Sequence, residues 1–149
     1  SDTGMLMARN PQPTAQAAYL DDSSPNLGAI YEHVIAQELT AQGIPLYYYM
    51  AKKHGEVDFI ADTNADSVMP FEVKSGRSYR THAAIDAVLA NAEYRISQGV
   101  VLSRSNIAQD GGTTYLPLYA TYCLRDVCNL ASPSTVSTIG DFSLTVHPV

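Results

Sequence analysis

Glu32, Asp58, Glu72 and Lys74 are the residues of this chain whose types and spacing could do chemistry. Gly55-Glu56-Val57-Asp58-Phe59-Ile60 and Phe71-Glu72-Val73-Lys74 both read as β-strands with ionisable groups in alternation. Residues i and i+2 of a strand face the same way. Asp58 and Glu72, on adjacent strands, can therefore meet on one sheet face, with Lys74 beside them. Such a group is costly on an apolar hairpin unless a cation or phosphate chemistry uses it. Asp58 and Glu72 could share a divalent cation, with the Val73 carbonyl as a further ligand. Mg²⁺ takes oxygen ligands and keeps several waters. Glu32 could complete the shell or hold a metal-bound water. Lys74 could orient that water or neutralise a pentavalent phosphate. Such a set suits phosphodiester hydrolysis.

The elements that must position these residues follow from periodicity and turn signals. Leu27 to Gln42 reads as a helix, with Leu27, Ile30, Tyr31, Val34, Ile35 and Leu39 at helical spacings. Asn26 is its expected cap, and Gly43 with Pro45 its stop. Glu32 falls beside the apolar stripe, so its stem can pack while its head reaches either water or the hairpin. Leu46–Met50, Glu56–Ala61 and Val68–Lys74 then form an antiparallel meander, with a polar turn over Asp62–Ser67. Tyr47, Tyr48 and Tyr49 are expected to pack the sheet. A second helix is predicted from a Thr81 cap to about Ile96, followed by a buried strand Gly99–Leu102. Ser103 to Thr114 reads as a loop, Tyr115 to Tyr119 as a strand, and Ala120 to Leu130 as a short helix or irregular end. The tail from Ala131 could hold one strand at Phe142–Val146. A strand after the second helix can pair parallel to the third through a right-handed crossover. The expected fold is therefore α/β, a mixed sheet flanked by helices.

Composition bounds the function. Apolar residues make up 46% of the 149, enough for one domain with a core. No apolar run approaches the ~18–20 residues of a membrane span, and no signal peptide is evident, so a cytoplasmic location is expected. Cys123 and Cys128 have poor zinc spacing and read as a reduced pair. The net charge of −6 argues against a strong non-specific grip on nucleic acid. Lys52, Lys53, Lys74, Arg77 and Arg80 nevertheless cluster near the hairpin in sequence, as a local basic rim or as solvated surface charges. His33, His54, His82 and His147 make no metal-spaced set. Arg95 and Gln98, closing the second helix, and Ser103-Arg104-Ser105, past a strand end, are secondary candidates for contact with a ligand.

With Glu32, Asp58, Glu72 and Lys74 on a helix–meander–helix–strand order, the chain resembles the PD-(D/E)xK nuclease superfamily. More closely it resembles the C-terminal domain of unknown function that follows the ATPase core in many prokaryotic AAA+-type ATPases. The matching pieces are Ser1-Asp2-Thr3-Gly4-Met5-Leu6, Gly28-x-x-x-Glu32-x-x-Ile35-x-x-Glu38-Leu39, Tyr47-Tyr48, Gly55-Glu56-Val57-Asp58-Phe59, Phe71-Glu72-Val73-Lys74-Ser75-Gly76 and Leu116-Pro117-Leu118-Tyr119, spanning about residues 1–120. The resemblance implies a restriction-endonuclease-like three-layer α/β/α fold with an α-β-β-β-α-β core over residues 26–130. It implies that residues 1–25 are left from a preceding ATPase and winged-helix part, with 131–149 as a tail. Asp58 and Glu72 become ligands of Mg²⁺ or Mn²⁺, Lys74 the catalytic lysine and Glu32 the helix acid. Glu56 is part of the pattern too, on the same face and nearer the rim. Partners would be nucleic acid, DNA first, and the chain's own ATPase domain. ATP would bind only in that missing part, since no G-x-x-x-x-G-K-[ST] occurs in this chain. Two functions compete: a metal-dependent nuclease, and a non-catalytic interaction or regulatory module that keeps the nuclease fold. The four residues favour the first and the charge of −6 favours the second.

Overall fold

The computed structural model describes residues 27–51, 55–76, 78–131 and 147–148. Expectations for residues 1–26, for Lys52, Lys53, His54 and Arg77, and for a strand at Phe142–Val146 lie outside the described residues.

Helix α1 is Leu27–Ala41. It ends as its sequence dictates. Gly43 takes φ 71°, open to glycine without strain. The Ile44 N–H then donates to the Leu39 carbonyl and the Gly43 N–H to the Thr40 carbonyl, at 3.0 and 2.9 Å. These two bonds make a Schellman stop, with Leu39 and Ile44 buried in one core. Strands β1 (Tyr47–Ala51), β2 (Gly55–Asp62) and β3 (Val68–Lys74) follow as an antiparallel meander.

Helix α2 (Ala83–Ala90) crosses over to β4 (Gly99–Ser103), which pairs parallel with β3. This helix is shorter than its apolar stripe predicts. Asn91 turns extended, and its side chain accepts the Glu93 N–H at 3.0 Å. A single 3₁₀ turn over Ala92–Tyr94 follows, closed by Arg95 at φ 54°. Asn competes with the helix through this kind of local bond. The N-cap position is His82 rather than Thr81.

Residues Ser103–Thr114, expected as loop, contain a further strand. β5 (Ala108–Asp110) and β6 (Thr113–Pro117) pair antiparallel about Gly111-Gly112. A Cβ on Gly112 would lie 2.6 Å from the Ser97 carbonyl oxygen, so only glycine fits there. The strand expected at Tyr115–Tyr119 thus starts and ends two residues earlier. Leu118 begins a 3₁₀ helix running to Cys123, which leaves Tyr119 74% exposed, and α3 (Leu124–Val127) follows.

The sheet is mixed and open, in the order β5-β6-β4-β3-β2-β1, extended at the β1 edge by the two-residue strand β7 (His147–Pro148). Helices cover both faces. Ile35 and Leu39 of α1, with Leu124 of α3, pack on Phe59, Ala61, Phe71, Val73, Val100 and Leu102. Ala84, Ile85 and Val88 of α2 pack on the other face, against Val57, Ile60, Val101 and Tyr115. Tyr49 packs there too, and its hydroxyl lies 2.9 Å from that of Tyr94. Cys123 and Cys128 are both free thiols.

Candidate active site

Asp58 owes its position to a break in β2. Tyr47 pairs with Ile60 but Tyr49 with Val57, so two β2 residues oppose Tyr48 alone. That is a β-bulge at Asp58-Phe59, a device that re-aims a side chain. Alternation fails at the same point: Val57 and Ile60 face α2, while Phe59 and Ala61 face α1. The β2–β3 ladder runs from Asp62↔Val68 to Phe59↔Phe71. Beyond it the Asp58 carboxylate takes over, with Oδ2 accepting the Val73 N–H at 2.7 Å.

Glu72 lies between Phe71 and Val73, which face α1, so it faces α2. It is 6% exposed. Lys74 Nζ makes an ion pair with Glu72 Oε1, while Oε2 is buried with no hydrogen-bond partner among the described residues. A buried carboxylate oxygen left without a donor is uncommon and leaves room for a partner, which a water or a cation can supply. The local donors are hard oxygens, the set Mg²⁺ prefers.

Glu32 reaches the same region from the first turns of α1. A Cβ on Gly28 would stand 3.8 Å from both Glu32 Oε1 and Ser75 Oγ, so helix start, carboxylate and post-Lys74 turn surround one space. Burial raises the Glu32 pKa, Glu56 adds to the rise and Lys74 opposes it. Glu56 is exposed at the rim, as its place on β2 suggests. Asp58 is pushed up to about 7, mainly by burial, against the Val73 hydrogen bond and Lys74, with Glu32 and Glu72 adding to the rise. Asp58 thus lies within electrostatic reach of Glu32, Glu72 and Lys74, and Lys74 within reach of all three acids. Among the described residues no three His, Cys, Asp or Glu side chains converge tightly enough to cage a metal.

The secondary candidates divide. Ser103 pairs with Lys74 across the β3–β4 ladder and is fully buried, with Oγ 2.6 Å from Ser105 Oγ. The end of β4 therefore does border the site. Arg95 and Gln98 do not. Gln98 lines a cavity of about 180 Å³ with Thr63, Ser67, Met69 and Asn129, beside the turn end of the β2–β3 hairpin, opposite the end that carries Lys74. Arg95, itself left-handed, closes the 3₁₀ turn before β4. The helix break at Asn91 takes both away.

The family model of a domain of unknown function (DUF4143) matches residues 27–121. The chain belongs to the DUF4143 family. Within this DUF4143 domain the match runs from the first residue of α1 into the 3₁₀ helix after β6, and Glu32, Asp58, Glu72 and Lys74 all lie inside it. No curated protein matches the chain, and no solved structure does. Among the described residues no helix is long and apolar enough to cross a membrane.

The ion pair of the DUF4143 site has a stability signature. Lys74→Ala leaves a buried carboxylate without its counter-ion and is expected to cost about 1–3 kcal/mol. Adding Glu72→Gln removes the orphaned charge and should restore most of that loss. Urea unfolding of the two single variants and the double variant, without metal, checks it. Additive losses would mean that the two side chains do not interact in solution.

Proposed function

We propose that this DUF4143 domain is a divalent-metal-dependent phosphodiester hydrolase of the PD-(D/E)xK type, acting on nucleic acid, DNA first. In this reading the fold is restriction-endonuclease-like, and the domain is the C-terminal part of an AAA+-type ATPase, with ATP bound elsewhere in the longer protein. The observation that supports it most is the opening of the β2–β3 ladder at Phe59↔Phe71, where Asp58, Glu72 with its unpartnered oxygen, and Lys74 meet.

Asp58 and Glu72 would hold the cation, Mg²⁺ or Mn²⁺, with the Val73 carbonyl as a further oxygen ligand. When bound, it would supply charge neutralisation for the phosphoryl oxygens and acidify a water ligand. The protein's own groups do the remainder. The Val73 N–H fixes the Asp58 carboxylate in place. Lys74, half-buried beside Glu72, orients the attacking water and faces charge developing on phosphorus. Glu32, whose proton affinity burial raises, holds a water at the α1 edge rather than closing a three-carboxylate cage.

A second reading rests on the same ion pair. Lys74 satisfies one Glu72 oxygen without any metal, and the chain carries −6, so an interaction or regulatory module could keep this site as a structural pair. One assay separates the two. Single-stranded, duplex and branched DNA and RNA are incubated with Mg²⁺ or Mn²⁺ and wild type, beside identically prepared Glu72→Gln. Metal-dependent cutting by wild type alone supports the hydrolase. Equal cutting by both assigns the activity to another site or to a contaminant, and no cutting by the domain or by the full-length protein supports the module.

A further inference from the structure

Arg80 is held in an unusual way for an exposed cation. Its guanidinium carbon lies 5.3 Å from the Tyr115 ring centre and 5.7 Å from that of Tyr79. The two rings meet edge to face at 5.6 Å, so they form a corner on which the planar guanidinium rests. The corner is anchored from beneath. Tyr115 is 2% exposed, and its hydroxyl lies 2.7 Å from Nε2 of the buried His82. His82 Nδ1 in turn stands 3.0 Å from Asp86 Oδ1, off the line of a hydrogen bond. Arg80 keeps 59% of its side chain exposed, and Asp110, at 3.8 Å and 72% exposed, is too distant to hydrogen-bond it. A long flexible side chain has been made stiff while its charge still faces solvent.

The sheet register relates the ring beneath this charge to the site. Glu72 pairs with Val101, and Val101 with Tyr115, so the three share one row and one face. Two strand spacings place Tyr115 on the order of 10 Å from Glu72. A nucleic-acid strand covers such a distance within a few nucleotides, at ~3.4 Å of duplex axis per base step.

We propose that Arg80, braced on Tyr79 and Tyr115, binds a non-scissile phosphate of a nucleic-acid strand lying across the sheet end toward Asp58, Glu72 and Lys74. The proposal rests on the hydrolase reading for the direction of the strand. It would let a chain of net charge −6 bind such a strand, with affinity from a braced cation beside the site rather than from overall charge. Asp110 acts against the phosphate and weakens the grip.

The test is binding without chemistry. Labelled single-stranded and duplex DNA and RNA are titrated in EDTA over a salt series with wild type, Arg80→Ala, Arg80→Lys and Asp110→Asn. Asp126→Asn, on α3 at the other face, controls for net charge. Arg80→Ala should bind several-fold more weakly on every sequence, with the slope of log K against log salt smaller by about 0.7–0.9 and Tm unchanged. Arg80→Lys should keep the slope but lose part of the affinity, because the flat stack is gone. Asp110→Asn should bind more tightly than Asp126→Asn. An unchanged slope in Arg80→Ala, or no binding by wild type, overturns the proposal. The hydrolase reading fails separately: binding that depends on Arg80 without cutting in Mg²⁺ or Mn²⁺ removes the chemistry and keeps the phosphate contact. Cutting with Arg80-independent binding does the reverse.

Discussion

Asp58→Asn is expected to melt at a higher temperature than wild type at pH 8 without divalent metal, and to lose all cleavage when Mg²⁺ or Mn²⁺ is supplied. The cause is the cost of burying a carboxylate. Burial, with smaller help from Glu32 and Glu72, pushes Asp58 up to about 7 from an ordinary 3.8. Between those two values the folded chain holds a proton that the unfolded chain has released. Folding therefore binds protons, and stability falls as pH rises from about 4 to about 7. Above that window the loss is complete. At ~1.4 kcal/mol per pKa unit the ceiling is about 4 kcal/mol. Residual solvent contact at Asp58 reduces the expected effect to about 1–2 kcal/mol, or several degrees in Tm for a chain of this size. Asn has no charge to bury, and its side-chain oxygen can still accept the Val73 N–H.

The same substitution removes a carboxylate from the pair proposed to hold the cation. A lost contribution of several kcal/mol to charge stabilisation is about 10³-fold or more in rate. Metal binding requires deprotonated carboxylates, so its stabilisation of wild type should be larger at pH 8 than at pH 6 and absent in Asp58→Asn. Thermal melts at both pH values, with and without Mg²⁺, read all of this. A variant that melts below wild type at pH 8 without metal, or that still cuts at the wild-type rate, contradicts the place given to Asp58. The expected pattern is a trade of stability for function: a site built to hold a cation destabilises the fold that carries it.

The strand positions of the candidates Asp58, Glu72 and Lys74 are legible in the sequence because charge is rare in apolar strands. Glu72 between Phe71 and Val73 has no ordinary reason to be charged, and Val68–Lys74 is the strand that the alternation predicts. Gly43 after a helical stripe is an equally local signal, and the Schellman bonds follow from it. The bulge that places Asp58 was not legible. It depends on how Tyr47 and Tyr49 pair with β2, which no pattern inside β2 records. The break of α2 at Asn91 escapes the pattern for a different reason. The apolar stripe continues to Ile96, and Ile96 is indeed buried, but it arrives there by a 3₁₀ turn. The β5–β6 hairpin could have been found, since Asp110-Gly111-Gly112-Thr113 is a two-residue turn signal. His82 could not. Its buried ring meets Tyr115, which β6 brings under the loop before α2, a contact across 33 residues.

Phe71→Ala should be the most destabilising single substitution near the site. Phe71 is fully buried at the middle of the sheet, paired with Phe59 on one side and Val100 on the other. Truncating such a ring costs about 3–5 kcal/mol in lost burial and cavity. Against a total of about 5–15 kcal/mol, a large share of the fold's stability disappears. Phe71→Leu keeps much of the volume and should cost far less, about 1–1.5 kcal/mol. Urea unfolding measures both. The consequence for the site follows from alternation: Phe71 holds β3 down onto α1, and only while it does so is Glu72 presented to the opposite face. If cleavage by Phe71→Ala falls in step with its folded fraction, the residue supports the site only through stability. A loss beyond that fraction, with Phe71→Leu near wild type, would show that the ring also sets the angle at which β3 offers Glu72 and Lys74. A cost below about 1 kcal/mol for Phe71→Ala is incompatible with β3 lying at the centre of this sheet.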